Sequence, residues 1–180
     1  MQTGIRIVSC YSISQQPIGR VFLVMEIERK FLVSSLPPGG FEFDDIVQTY
    51  VFSGTQGEEF RVRRKAALCY LTIKTDGTIA REEVELEITE ADFNRLKAVA
   101  SGGTVEKRRT KISYGGVVIE LDVFGGKLRG LMLAEVEFAD EAVAARFRPP
   151  SWFGREVTDD ARYKNKNLAK AGSPPSPVAG

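Results

Sequence analysis

The sequence predicts a mainly β (α+β) domain in which eight antiparallel strands close into a barrel, or tunnel, with flanking helices. Most of the chain between residues 25 and 140 alternates apolar with charged residues, and a period of two is the period of a β-strand. Short turn signals, Asp76-Gly77 and Gly115-Gly116, separate consecutive alternating runs. Strands joined in this way form an antiparallel sheet, and closure into a barrel removes its edges.

The predicted strands cover most of this region. They are Met25–Leu32, Ile46–Phe52, Glu59–Lys65, Cys69–Lys74, Ile79–Ile88, Thr104–Ser113, Val117–Phe124 and Met132–Phe138. Three helices are also predicted. The first follows the capping sequence Thr89-Glu-Ala-Asp92 and places Phe93, Leu96 and Val99 on one face. The second covers Asp140–Phe147, and the third begins after Thr158 and runs through Tyr163 and Leu168.

The two ends of the chain differ from the region between them. Residues 1–24 alternate only weakly, and we interpret them as an N-terminal extension that precedes Met25, the natural start of the folded unit. The alternative is an extra edge strand at Ile5–Val8 or Val21–Val24. Residues 25–170 are predicted to form one domain, and the proline-containing residues 171–180 a disordered tail.

Composition excludes several classes of function. The chain has 180 residues, and 25 Lys and Arg nearly balance 24 Asp and Glu, which argues against a nucleic-acid partner. Histidine is absent, so catalysis by a Ser-His-Asp triad and histidine-bound zinc are excluded. Cys10 and Cys69 match no metal or redox spacing, and no apolar run is long enough to span a bilayer. We therefore expect a cytoplasmic protein with no membrane partner.

Charged residues on the predicted strands are segregated by sign. Alternation places Glu26, Glu28 and Lys30 on one face, and it does the same for pairs or triplets on the other strands. A solvated sheet face is the usual interpretation, but such a face normally mixes the two signs. The alternative is that these faces line a lumen, where acids gather Mg²⁺ or Mn²⁺ and bases bind phosphate oxygens. A polyphosphate bound with metal ions needs both signs of charge in one cavity.

The same residues resemble the CYTH superfamily, named after bacterial class IV adenylate cyclases and thiamine triphosphatase. Met25-Glu-Ile-Glu-Arg-Lys30 is similar to its Glu-x-Glu-x-Lys signature. The segments that follow resemble the family's later strands in order: Glu59–Arg63, Leu71–Lys74, Arg81–Glu85, Glu106–Arg109, Glu120–Asp122 and Glu135–Glu137. Pro149–Gly154 and Arg162–Leu168 look like the ending of the small bacterial members.

The resemblance implies a role for each matching residue. The metal-side carboxylates would be Glu26, Glu28, Glu120, Asp122 and Glu135. The triphosphate clamp would be Arg61, Arg63, Lys74, Lys107 and Arg109, with Lys164 and Lys166 as further phosphate contacts. Glu83 and Glu85 would be tunnel acids, and Lys30, Tyr50 and Glu137 would be catalytic. For Lys164 and Lys166 the alternative is a solvated helix face.

The function implied is metal-dependent hydrolysis of inorganic tripolyphosphate to pyrophosphate and phosphate, with Mg²⁺ or Mn²⁺. The alternatives are a class IV-type adenylate cyclase, a thiamine triphosphatase, and a non-catalytic polyphosphate-binding module. The general base is left open between Lys30 with Tyr50, where neighbouring arginines would depress the pKa of Lys30, and a water activated by Glu137. The exact substrate, the metal and the oligomeric state, with a homodimer as one alternative, are also left open.

Overall fold

The computed structural model describes residues 20–24, 27–54, 58–74 and 81–176. Ten strands are present in this part of the chain: β1 Arg20–Val24, β2 Ile27–Val33, β3 Asp44–Ser53, β4 Glu59–Lys65, β5 Leu68–Lys74, β6 Arg81–Ile88, β7 Thr104–Tyr114, β8 Val117–Phe124, β9 Met132–Phe138 and β10 Phe153–Glu156. The helices are α1 Glu90–Ala98, α2 Glu141–Arg146 and α3 Asn165–Ala171, with short 3-10 turns at Gly126–Leu128 and Ala161–Tyr163.

The strands form one antiparallel sheet in the order β1-β6-β5-β4-β3-β7-β8-β9-β2-β10. The prediction of a mainly antiparallel sheet with three helices is confirmed. Two further strands, β1 and β10, lie at the two ends of the sheet, and β1 matches the alternative edge strand at Val21–Val24. The predicted Met25, Glu26, Ile79, Asp76-Gly77 turn, Ile5–Val8 strand, Cys10 and last four tail residues lie outside the described residues.

The hydrogen-bonded ladder is open among the described residues, because β1 pairs with β6 while β2 pairs with β9 and β10. The chain nevertheless brings the two sides of the sheet together. Val24 ends β1 and Ile27 begins β2, so three peptide steps, at most about 11 Å, separate their Cα atoms. The sheet must therefore curve round until these strand ends meet, and its concave face encloses a space that we call the lumen.

Helices α1 and α2 cover apolar side chains on the outer face of the sheet. Phe93 of α1 packs with Val62 and Cys69, and all three are buried. A second outer cluster, built on β8, β9 and β2, lies against α2 and the segment before β10. The apolar members of β8, β9 and β2 in this cluster are thus buried outside the lumen, and the charged members Glu28, Asp122 and Glu135 face into it.

The ends of the helices show two differences from the prediction. Val99 was expected on the apolar face of α1, but the helix ends at Ala98 and Val99 is 72% exposed. The third predicted helix is divided, because a 3-10 turn at Ala161–Tyr163 precedes α3 and the backbone at Lys164 is extended. Thr89 caps α1 as predicted, since its hydroxyl accepts a hydrogen bond from the Asp92 N–H.

One end of the lumen is filled by apolar side chains. Tyr50, Val105, Phe124 and Leu133 have the same strand parity as the charged lumen residues, and all four are buried. They form one core cluster with side chains from the C-terminal segment, including the fully buried Leu168 of α3. We call this the closed end, and the opposite end, where Glu137 and Lys111 are exposed, the mouth.

No helix among the described residues is long and apolar enough to cross a membrane.

Candidate functional site

Asp122 is the centre of a charged network on β7, β8 and β9. Its side chain has no solvent exposure, and its Oδ2 lies 2.5 Å from Lys107 Nζ. The guanidinium of Arg109 donates to both oxygens of Asp122, at 2.6 and 2.5 Å. Arg109 also donates to Glu120, and at 2.9 Å to Glu135. One buried guanidinium thus holds three carboxylates from two strands, and their charges raise the pKa of Arg109 although burial opposes this.

Lys30 joins this network from β2, where it lies opposite Glu135 in the β2–β9 register. Its Nζ is 3.0 Å from Glu135 Oε1 and 3.9 Å from Glu28 Oε1. Burial alone would lower the pKa of Lys30, but these two carboxylates outweigh burial and raise it. Burial alone would likewise raise the pKa of Glu135, but Lys30, Lys107 and Arg109 together lower it.

The expectation that arginines depress the pKa of Lys30 is therefore wrong. Arg61 and Arg63 are on β4, which the sheet order places on the far side of β3 and β7. The strand beside Lys30 is β9, which supplies Glu135. Carboxylates, not guanidinium groups, surround the Lys30 amino group, so it holds its proton more firmly than a free lysine.

A second charged network lies on β4, β5 and β6. Glu83 connects the two bases on either side of it, because it lies 2.9 Å from Lys74 and 3.7 Å from Arg61. Arg61 is also 4.0 Å from Glu59, which pairs at 3.3 Å with Lys166 of α3. The network therefore runs across three strands and reaches the helix at the closed end.

Arg63 makes a separate pair at the mouth side of this network. Its Nη2 donates to Glu85 Oε2 at 2.9 Å, and Thr72 Oγ1 donates to the same oxygen at 3.3 Å. Burial and the positive charges of Arg61 and Arg109 lower the pKa of Arg63. Strands β4 and β7 both pair with β3, so Arg63 and Arg109 belong to next-but-one strands and the two networks adjoin at this part of the sheet.

Two buried donors in the second network lack a hydrogen-bond partner among the described residues. They are Arg61 Nε and Arg63 Nε. A buried N–H without an acceptor is unfavourable, and such donors usually meet water, an ion or a ligand. An anion with several oxygens, such as a polyphosphate, would satisfy both.

Tyr50 is buried at the closed end and accepts a hydrogen bond of 2.7 Å from Gln48 Nε2. Burial raises the pKa of Tyr50 to about 12, although Arg61 opposes this. The phenol therefore stays protonated at neutral pH. Its position beside Arg61 places Tyr50 in the second network, whereas Lys30 belongs to the first.

Most of the predicted site residues fall into these two networks. The first contains Glu28, Lys30, Lys107, Arg109, Glu120, Asp122 and Glu135, and the second contains Tyr50, Arg61, Arg63, Lys74, Glu83, Glu85 and Lys166. Glu137 is exposed at the mouth, and Lys164 is exposed before α3. Glu26 lies outside the described residues.

The prediction omitted four residues that contribute to the networks: Gln48, Glu59, Thr72 and Lys111. A signal for Glu59 was present, because it shares strand parity with Arg61 and so faces the lumen. Gln48, Thr72 and Lys111 also lie on predicted strands with lumen parity. Gln48 and Thr72 are uncharged and Lys111 lies near the end of its strand, so the charge pattern did not identify them.

The acidic residues near Lys30 have the chemistry of a site for a hard divalent cation. Glu28 lies opposite Glu137, and Glu120 lies opposite Glu135, in the registers of neighbouring strands. Directly opposed like charges are unfavourable unless a cation offsets them, and carboxylates alone favour ions such as Mg²⁺ and Mn²⁺. Within the described ranges no three acidic or thiol side chains are grouped closely enough to hold a metal. Arg109 and Lys30 hold Glu120 and Glu135 instead, so an ion would have to compete with these bases.

Comparison with known proteins agrees with this arrangement. The family model described as the CYTH domain matches residues 25–170. The chain is 44% identical over 145 residues to an inorganic triphosphatase of Nitrosomonas europaea, covering 80% of this chain and 96% of the relative. It is 40% identical over 152 residues to an inorganic triphosphatase of Acetivibrio thermocellus, covering 81% and 93%.

A solved structure gives the same result. The crystal structure of an inorganic triphosphatase matches with a TM-score of 0.68 and 42% identity, covering 82% of this chain and 95% of the other. Residues 25–170, which the family model matches, contain every residue of both charged networks. The chain therefore belongs to the CYTH family.

Proposed function

We propose that residues 25–170 form a metal-dependent triphosphatase that hydrolyses inorganic tripolyphosphate to pyrophosphate and phosphate. The observation that carries this proposal is the pair of adjoining charged networks that face into the lumen. Their bases are neutralised by carboxylates of the chain itself, and among the described residues Arg61 and Arg63 each keep one buried N–H without a partner. The two relatives at 44% and 40% identity, both inorganic triphosphatases, support the choice of substrate.

The bases of both networks would bind the phosphate chain. Arg61, Arg63 and Lys74 are on β4 and β5, and Lys107 and Arg109 are on β7, which is separated from β4 only by β3. Guanidinium groups contact phosphate oxygens in bidentate geometry, which suits a chain with oxygens on both sides. Stabilisation of the negative charge on these oxygens is the main requirement of phosphoanhydride hydrolysis, because the attacking water needs little covalent assistance.

The proton of the attacking water would go to a carboxylate. Lys30 and Tyr50 both hold their protons at neutral pH, the first because of Glu135 and Glu28, the second because it is buried. A protonated Lys30 instead suits a phosphate contact. Glu137 is exposed at the mouth, opposite Glu28, and we place the acceptor there. Of the two alternatives for the general base, the structure favours a water activated by Glu137.

An Mg²⁺ or Mn²⁺ ion, held by Glu28, Glu120 and Glu135 with Glu26, would supply charge neutralisation of the phosphate oxygens. Asp122 is a weaker metal-ligand candidate than the sequence resemblance implied, because it is fully buried between Lys107 and Arg109. We therefore assign Asp122 to holding the clamp and not to the metal.

A substrate panel with two variants tests the proposal. Tripolyphosphate, ATP and thiamine triphosphate are each incubated with Mg²⁺ or Mn²⁺, and phosphate, pyrophosphate and cyclic AMP are measured. We expect tripolyphosphate to be the best substrate. Glu28→Ala and Arg63→Ala should each lower kcat/KM by about a hundredfold or more, as loss of a group that stabilises transition-state charge does.

The matched control is Arg95→Ala, which removes an arginine that is 79% exposed on α1. It should retain wild-type activity. Cyclic AMP with pyrophosphate would identify a cyclase instead, and tight binding of tripolyphosphate without turnover would identify a binding module. Full activity in Arg63→Ala would contradict the assignment of the lumen as the active site.

A further inference from the structure

The segment that follows β10 holds the main chain of Lys30 on both of its polar groups. The Lys30 N–H donates to Thr158 Oγ1 at 3.0 Å, and the Lys30 carbonyl accepts from the Val157 N–H at 2.7 Å. Strand β10 ends at Glu156, so these two hydrogen bonds continue the contact with β2 beyond the regular ladder. One of them uses a side-chain hydroxyl in place of a backbone carbonyl.

The Thr158 hydroxyl is itself held by a charged group. It donates to Glu156 Oε1 at 2.7 Å, so its position and the direction of its proton are fixed. An oxygen that donates to a carboxylate is also a better acceptor, which strengthens the bond from the Lys30 N–H. Thr158 thus contacts Lys30 through its lone pair and Glu156 through its proton.

Glu156 is in turn fixed by the residue next to Lys30. Arg29 donates to the two Glu156 oxygens at 2.8 and 2.6 Å, and its remaining nitrogen donates to the Ala144 carbonyl at 3.1 Å. This arrangement lowers the pKa of Glu156 through the hydrogen bonds from Arg29, so the carboxylate remains charged. Arg29 on the outer face of β2 therefore links this strand to β10 and to α2. The next residue, Lys30, extends into the lumen.

We propose that Thr158 is a positioning residue for Lys30 in the hydrolysis reaction. It bonds to the main chain of Lys30 and to no side chain of the lumen networks among the described residues, and it thereby fixes the backbone from which the Lys30 side chain extends. This inference rests on the proposed function only for its kinetic consequence. The structural consequence, a more accessible Lys30 amino group, is independent of it.

The test compares Thr158→Val with Thr158→Ser. Valine keeps the branched shape but removes the hydroxyl, whereas serine keeps the hydroxyl and is expected to restore the wild-type behaviour. For Thr158→Val we expect kcat for tripolyphosphate to fall about tenfold with KM changed less than about twofold, because a displaced Lys30 would still attract the phosphate chain but would stabilise the transition-state charge less well. A residue important only for stability would lower the melting temperature without this division between kcat and KM.

A second measurement needs no activity. The folded proteins are treated with an amine-reactive acylating reagent, and modification at each lysine is measured by mass spectrometry. Lys30, now only 8% exposed in its side chain, should be modified faster in Thr158→Val and at the wild-type rate in Thr158→Ser. Lys107, buried on β7, is the internal reference and should not change.

The outcomes separate the two proposals. The wild-type protein could fail to hydrolyse tripolyphosphate while Lys30 is still modified faster in Thr158→Val. That pair of results would support the positioning role and contradict the proposed function. Unchanged modification and unchanged kcat in Thr158→Val would overturn the positioning role. Equal losses in the valine and serine variants would also overturn it, because the hydroxyl would then not be responsible.

Discussion

Asp122→Asn tests whether the buried charges are as important to the fold as their contacts indicate. Asp122 has no solvent exposure and accepts three charge-assisted hydrogen bonds, one from Lys107 and two from Arg109, at 2.5 to 2.6 Å. Each such bond contributes roughly 1.5–3 kcal/mol when its partner is charged. The amide retains one acceptor oxygen, and Arg109 keeps Glu120 and Glu135, so only part of the sum is lost.

The expected loss is about 3–5 kcal/mol of unfolding free energy, the usual cost of removing one partner from a buried charge pair. That is a large part of the roughly 5–15 kcal/mol available to a domain. Urea denaturation followed by circular dichroism measures it, with the slope m checked for constancy. Tripolyphosphate offers negative charge to Lys107 and Arg109, so it should raise the midpoint of the variant more than that of the wild type.

Asp159→Asn provides the control, because it makes the same chemical change at an exposed position. It should alter the unfolding free energy by less than about 0.5 kcal/mol. If Asp122→Asn also stayed within that range, Lys107 and Arg109 would not depend on Asp122. The description of a buried network centred on this carboxylate would then be refuted.

Two further predictions concern the closed end. Gly103→Ala should lower the unfolding free energy by about 1–3 kcal/mol, since the new Cβ would lie 2.2 Å from the Ala169 carbonyl oxygen of α3. Gly115→Ala also has a positive φ but no atom within 4 Å, so a thermal melt showing equal losses in both variants would contradict the packing explanation. Tyr50→Phe should leave the pH–rate profile unchanged between pH 7 and 10, because a pKa of about 12 means that the phenol keeps its proton throughout that range. If the variant lost an alkaline change in rate that the wild type shows, Tyr50 would be identified as the base.

The fold was largely predictable because its strands alternate apolar and charged residues. All strands from β2 to β9 were predicted, because in most of them, such as β8, one face is apolar and the other is charged. β10 was missed because Phe153–Glu156 has only four residues, and its pairing with β2 depends on tertiary contacts such as Phe31 with Phe153, 4.7 Å apart. The extended backbone at Lys164 that divides the third helix has no sequence signal of the kind that proline or glycine provides.

The composition of the site was predictable, but its pairing was not. Strand parity placed Arg109 among the lumen bases and Asp122 among the lumen acids, but it did not predict that the two side chains bind each other. The prediction for Lys30 failed because its partner depends on which strand lies beside β2 and in which register. Those features are set by the whole sheet order and by loops of different lengths, which a local pattern does not contain.

At the closed end, among the described residues, apolar side chains of the strands pack against Leu168 of α3 and leave an apolar surface below the charged networks. Phosphate charge is unfavourable among apolar side chains, so the polyphosphate of the proposed function would stay in the charged part of the lumen, towards the mouth. The packing of Leu168 with Tyr50 and Leu133 thus sets how deep a charged ligand can enter.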